Sequence, residues 1–195
     1  FYNEELVHTT EQPYSRSIRL VPVLENVDDP RSALPYEQTA ELLRRARRIA
    51  VQMCPCRTRE RACDNPLETC ISLNHVADYT IKRGIGRELT VDEALAILRD
   101  SEQRGLVHLC ENSTTPSVIC NCCPCCCGFL RAVTVHGKQF VVEGTRYRAQ
   151  VDEERCTGCG TCETRCHFEA IAVHEIVAEV DAARCMGCGL CASAC

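Results

Sequence analysis

Nineteen of the chain's 195 residues are cysteine, aromatics make up only 5%, and tryptophan is absent. An odd cysteine count, set in C-x-x-C runs and blocks of neighbours, excludes a secreted disulfide scaffold, because a bridge needs two side chains arriving from separate segments. No run approaches the roughly 18 apolar residues of a membrane span, no signal-peptide pattern is visible, and nothing offers the aromatic platform of a nucleic-acid surface. Bound metal in a reducing, cytoplasmic setting is the expectation, with no nucleic acid and no membrane span.

The formal charge is −5. Residues 151–195 account for all of it, with eight acids against Arg155, Arg165 and Arg184. That break predicts a domain boundary near residue 150.

Residues 1–33 are polar without a clean period and read as an extended lead-in. A helix is predicted from Pro35 to about Ala50, because Pro suits a first turn and Leu43, Ala46, Ala50 and Met53 share one face. A second is predicted after Asp64–Asn65, with Pro66 in its first turn and Gly84 past its end. A third carries a capping box, Thr90 to Glu93, and stops at Gly105. Leu106–Leu109 and Val118–Ile119 read as short strands separated by polar residues and Pro116. Residues 131–142 alternate in the manner of a hairpin around Gly137. The predicted fold class is α+β. An α-rich, cysteine-dense domain over residues 34–130 is followed by a connecting hairpin or linker at 131–145 and a small module at 146–195.

That module is an internal repeat. Cys156-Thr-Gly-Cys159-Gly-Thr-Cys162-Glu-Thr-Arg-Cys166 recurs as Cys185-Met-Gly-Cys188-Gly-Leu-Cys191-Ala-Ser-Ala-Cys195, with a period of 29 residues at every cysteine. The spacing C-x₂-C-x₂-C-x₃-C is that of iron–sulfur cluster binding. Two-residue gaps wrap three thiolates round one face of a cubane, and the intervening glycines bring backbone N–H groups towards its sulfurs. A pair of zinc knuckles would use similar spacing, but the threefold run with a matching fourth cysteine favours clusters.

Residues 146–195 thus resemble the bacterial two-cluster ferredoxins. The resemblance implies a ferredoxin-like unit with two [4Fe–4S] clusters. One is held by Cys156, Cys159, Cys162 and Cys195, the other by Cys185, Cys188, Cys191 and Cys166. Oxidised cubanes with four thiolates would each add about −2 to the module's charge. His167 stands where the family usually has Pro, and the family's closing strand is missing after Cys195. Both a terminal ligand and that missing strand lead to the expectation that a native chain continues further.

Ten more cysteines are candidate metal ligands: Cys54, Cys56, Cys63 and Cys70, then Cys120, Cys122, Cys123, Cys125, Cys126 and Cys127. Thiolates this dense repel one another unless a cation neutralises them. The arrangement resembles an uncharacterised class of 4Fe–4S-binding proteins with a CxCR segment, a CNCCxCCC segment and a ferredoxin tail. In an extended run side chains alternate faces, so Cys122 and Cys123 are expected to serve different centres. The simplest count is two further [4Fe–4S] clusters in residues 54–127, which makes about four in all. Two five-ligand non-cubane clusters, or a metal store, are the other occupancies. Cys110 lies outside these groups and reads as a buried structural thiol.

Seven arginines (Arg44, Arg45, Arg47, Arg48, Arg57, Arg59 and Arg61) flank the first group. They form either a solvated helix face or a counter-charge for anionic clusters. No catalytic constellation is readable. The function expected is one-electron relay of low potential, to or from a redox partner protein or a larger oxidoreductase complex. A reductive enzyme or activator, and a redox sensor, are the alternatives.

Overall fold

The structure is a computed structural model and describes residues 17–23 and 38–195. Most of the predicted lead-in, and the Pro35 start of the first predicted helix, lie outside the described residues.

The chain from Ile18 to Glu143 builds one seven-stranded sheet. Its strands are β1 (Ile18–Leu20), β2 (Ile49–Met53), β3 (Glu68–Leu73), β4 (Gly86–Leu89), β5 (Val107–Glu111), β6 (Val118–Cys122) and β7 (Val142–Glu143). Their order is β4-β2-β3-β6-β5-β1-β7. Every neighbouring pair is antiparallel except β1 and β7. The first part is therefore sheet-based, where an α-rich domain was expected.

Three sequence expectations are corrected here, for related reasons. The first helix, α1, covers only Thr39–Arg45, and Ala50 and Met53 belong to β2. Ile49, Ala50 and Val51 are buried on both faces of the sheet, and a two-sided apolar run carries no alternation to separate it from a helix. The second helix does not start at Pro66. After a short helix α2 (Pro55–Glu60), residues Glu68–Leu73 form β3, and helix α3 begins at Asn74 and runs to Lys82, before Gly84. There is no hairpin at Gly137. Helix α5 (Gly128–Thr134) and a 3₁₀ turn (Gln139–Val141) lead into β7, because Leu130, Ala132 and Val133 find a core to fill.

The third helix is as read. Helix α4 (Val91–Gln103) starts on Thr90, whose hydroxyl accepts from the Glu93 N–H while the Glu93 carboxylate accepts from the Thr90 N–H. Both predicted strands near 106 and 118 are also present, as β5 and β6.

Strand register divides the sheet into two chemically different faces. Val51 pairs with Ile71 and Ile71 with Ile119. With Ile49, Leu73 and Leu89 they make an apolar face covered by α1 (Leu42, Leu43) and α4 (Ala94, Leu98). The opposite face carries Gln52, Cys70, Ser72, Cys120 and Cys122, with Leu20, Val107 and Leu109 beside them. Helix α3 covers one end of it through Thr80, whose hydroxyl bonds Gln52 and Ser72. Helix α5 covers the other.

The C-terminal part holds helix α6 (Thr161–Arg165), the antiparallel strands β8 (Ile171–His174) and β9 (Val177–Val180), and a last 3₁₀ turn, Ala192–Ala194. It does not stand apart. Phe168, Ala170, Cys185 and Leu190 share one core with Leu20, Val23, Leu109, Cys122 and Leu130. No described helix is long and apolar enough to cross a membrane.

Candidate metal centres

The two C-terminal loops are built alike, and the likeness begins before the cysteines. The Asp152 carbonyl accepts from the Cys156 N–H at 2.9 Å and the Asp152 carboxylate from the Arg155 N–H at 3.3 Å. Asp181, Cys185 and Arg184 repeat these bonds at 2.9 and 3.3 Å. This Asp-x-x-Arg-Cys turn was missed at the sequence level, although the 29-residue spacing carries it too. Gly158 and Gly187 then adopt φ of +65° and +70°. A side chain at Gly187 would run into Thr145 and Tyr147, and one at Gly158 into the Ile176 backbone.

The thiols of the two loops interleave. Cys188 lies next to Cys191, Cys166 and Cys185, and these four line one cavity with Pro22, Val23, Phe168 and Ile171. Burial pushes the Cys188 thiol up to about 12, and the neighbouring sulfurs push the same way. Cys162 lies next to Cys159 and Cys195. Backbone N–H groups of Ala170 and Ala178 donate to Cys166 Sγ (3.3 Å) and Cys156 Sγ (3.5 Å). Soft sulfur donors, a cavity between them and N–H groups aimed at the sulfurs are the donor set that an iron–sulfur cubane takes.

In the first part, six thiols make a closed ring of neighbours on the polar face of the sheet. Strand alternation puts Cys120 and Cys122 on that face beside Cys70. Cys54 caps α2, its sulfur accepting from the Arg57 N–H at 3.5 Å. Cys56 is in the first turn of α2, and Cys127 caps α5. Round the ring, Cys54 meets Cys56 and Cys70, Cys70 meets Cys120, Cys120 meets Cys122, and Cys122 meets Cys127, which faces Cys56. Hydrogen bonds from Cys56 and Cys70 hold Cys54 down to about 2. Cys120 and Cys127 are lowered mainly by Cys122, while Cys56, Cys70 and Cys122 are raised by the sulfurs they donate to. Six soft sulfur donors gathered in this way suit a cationic metal–sulfur core, whose binding displaces thiol protons.

Cys63 does not join Cys54, Cys56 and Cys70, with which it was grouped in the sequence. Arg61, in the left-handed region at φ 50°, ends α2 and turns the chain out of the ring. Cys63 instead meets Cys123, Cys125 and Cys126, and all four sulfurs lie within 4.8 Å of one another. Cys122 and Cys123 fall in different groups. Cys110 is in neither. It is buried on the apolar side of β5, and burial pushes its thiol up to about 12.

Of the seven arginines, six are ordinary surface residues, with Arg45, Arg47, Arg48 and Arg59 in ion pairs with Glu41, Asp78, Glu88 and Glu60. Arg57 is different: it is 1% exposed. Its guanidinium donates to Thr69 Oγ1 (2.9 Å), the Asn121 carbonyl (2.5 Å) and the Pro66 carbonyl. Burial alone would lower its pKa, but Cys123, Cys54 and Cys122 beside it raise it. One buried cation therefore serves both thiol groups. A polar chain continues from it. The Asn121 amide donates to the Thr69 carbonyl, so its oxygen faces His108 Nδ1 (2.5 Å), which must donate. His108 Nε2 then meets Glu102 at 3.0 Å. Nothing in the sequence pattern singles out Asn121 or His108.

A family model described as a 4Fe-4S binding domain matches residues 149–172. No curated protein and no solved structure matches the chain. The chain is thus an iron–sulfur protein of mixed helix and strand, similar to that family over the stretch containing the first cysteine motif.

Proposed function

We propose that this chain is an electron carrier in which two [4Fe–4S] clusters of a ferredoxin-type module and a cluster in the six-thiol ring form one relay. Cys156, Cys159, Cys162 and Cys195 hold the first cluster, and Cys185, Cys188, Cys191 and Cys166 the second. Cys54, Cys56, Cys70, Cys120, Cys122 and Cys127 hold the third. Such clusters each accept and return one electron at low potential, and the protein's part is to bury them and tune them by hydrogen bonds. The observation that carries the reading is the shared core. Cys122 and Cys127 of the ring and Cys185 of the module are buried in the same hydrophobic cluster, with Cys120, Cys166 and Cys188 packed against it. An electron can therefore pass between the centres within one dry interior. Its source or destination is a redox partner protein or a larger oxidoreductase complex.

Six thiolates exceed the four that a cubane uses, and this favours a second reading in which the ring holds a non-cubane cluster with reductive chemistry of its own. Anaerobic purification followed by iron, acid-labile sulfide and EPR-monitored redox titration tests both. Magnetically interacting [4Fe–4S] signals that one-electron acceptors oxidise in sequence support the relay. Ring signals that change only when a reducible substrate is added support the second reading. A protein with no acid-labile sulfide would sink both.

A further inference from the structure

We propose that Cys63, Cys123, Cys125 and Cys126 hold a single zinc ion, a structural staple separate from any iron–sulfur cluster. The spacing of the sulfurs leads there. A zinc–thiolate bond is about 2.3 Å, and a tetrahedron of such bonds has an edge of about 3.8 Å. Cys63 Sγ stands 3.7 Å from Cys123 Sγ and 3.9 Å from Cys126 Sγ, and all four sulfurs fall within 4.8 Å of one another. A cubane spreads its ligands much further, because each thiolate ends on a different iron and the width of the core lies between them. A disulfide would need the sulfurs at about 2.05 Å, and all four cysteines are free. Among the described residues no other thiols gather this tightly.

The choice of zinc over ferrous iron follows from affinity. Zinc stands above Fe²⁺ in the order for a given site, and a closed four-thiolate tetrahedron leaves no position for chemistry. The surroundings support a bound dication with four thiolates, whose net charge is negative. Asn65 Nδ2 donates to Cys63 Sγ at 3.5 Å, the Ala62 N–H reaches Cys126, and the Arg57 guanidinium lies beside Cys123. The staple has a place in the design of the fold. It ties the loop after α2 to the loop before α5, segments 60 residues apart. The elements flanking those loops supply Cys54, Cys56, Cys122 and Cys127 to the ring.

The proposal extends the relay reading, and its test reads zinc while iron and sulfide report on that reading. The full chain is produced with iron and zinc both supplied, purified anaerobically, and its metals counted. One zinc per chain is expected. Zinc-edge X-ray absorption on the unaltered protein should show four sulfurs at about 2.3 Å and no neighbouring metal. Cys125→Ala, at the most exposed of the four ligands, should lose that one zinc and keep its iron and sulfide. An unaltered protein without zinc, a zinc shell containing nitrogen or oxygen, or a Cys125→Ala protein that loses iron while zinc stays would each overturn the assignment.

Discussion

Replacing Arg57 by Met keeps the volume of the side chain and removes its charge and its donors. Three acceptors lose their partner in a buried site: the Pro66 and Asn121 carbonyls and the Thr69 hydroxyl. Each buried polar group left unsatisfied costs about 1–3 kcal/mol, and at the low end the three together come to roughly 3 kcal/mol. Stripping one partner from a buried charged pair costs about 3–5 kcal/mol, so the two estimates agree. Against a total stability of about 5–15 kcal/mol this is a large share. At a urea slope of about 2 kcal/mol per molar it moves the unfolding midpoint down by roughly 1.5 M. The guanidinium also sits beside Cys54, Cys122 and Cys123. Its loss removes a positive charge that favours the reduced, more negative state of the cluster proposed for the ring, so the potential measured there should fall. Arg57→Lys, which keeps the charge and loses the fork, should recover most of the potential and only part of the stability. The assay is anaerobic urea unfolding followed by visible absorbance, paired with a redox titration. An Arg57→Met protein with an unshifted midpoint and unshifted potential would refute the role given to this residue.

Four other substitutions test the site and the fold. Cys195→Ala should damage the cluster of the first motif, since Cys195 lies beside Cys162 and Cys166 lies beside Cys188 and Cys191; loss of the second motif's EPR signal alone would contradict the interleaving. Gly187→Ala should destabilise by about 2–4 kcal/mol, because a left-handed backbone and a collision with Thr145 and Tyr147 act together, whereas Gly160→Ala meets open space and should cost only about 1–2 kcal/mol by thermal unfolding. Thr90→Ala removes the cap of α4 and should cost about 1 kcal/mol with the metal content unchanged; altered iron content would mean that α4 does more than brace the sheet.

The legible parts of this molecule are those whose chemistry is local in the chain. The capping box at Thr90 and Glu93 specifies a helix start through residues three apart, and the cysteine motifs carry their meaning in short spacings. Strands β2 and β3 were misread for the opposite reason. Ile49–Val51 and Thr69–Leu73 are buried on both faces, and only the helices that cover them decide their conformation. The partition of Cys54–Cys127 was equally hidden. Cys122 ends β6 on its polar face and Cys123, just past the strand, falls in the other thiol group, but no spacing rule shows that Arg61 turns Cys63 away from Cys56 and towards Cys126. Nor does composition distinguish the buried Arg57 from the six surface arginines near it in the sequence. Arg57 is set apart by Asn121, which lies 64 residues further along the chain.

The departure from the ferredoxin pattern at His167 has a structural reason in the other half of the chain. A helix leaves its last carbonyls without partners, and cationic or N–H donors at its C-terminal end stabilise it. Helix α4 ends against the C-terminal module in this way. Arg165 donates to the Glu102 and Gln103 carbonyls at 2.5 and 2.9 Å, and His167 Nε2 donates to the Gly105 carbonyl at 2.6 Å. Proline at position 167 has no side-chain donor and would leave the Gly105 carbonyl without this bond. Arg165 also reaches the Leu190 carbonyl at 3.2 Å, so the same side chain grips the second cysteine loop. On the other side, the Val23 N–H donates to the Cys188 carbonyl at 3.1 Å. The residues on either side of Cys166, and Cys188 itself, are therefore held by the sheet domain. A ferredoxin that works alone has no use for such contacts. In this chain they fix the module's second thiol group against the core that also buries Cys122 and Cys127, which is the geometry that the proposed relay between the two halves requires.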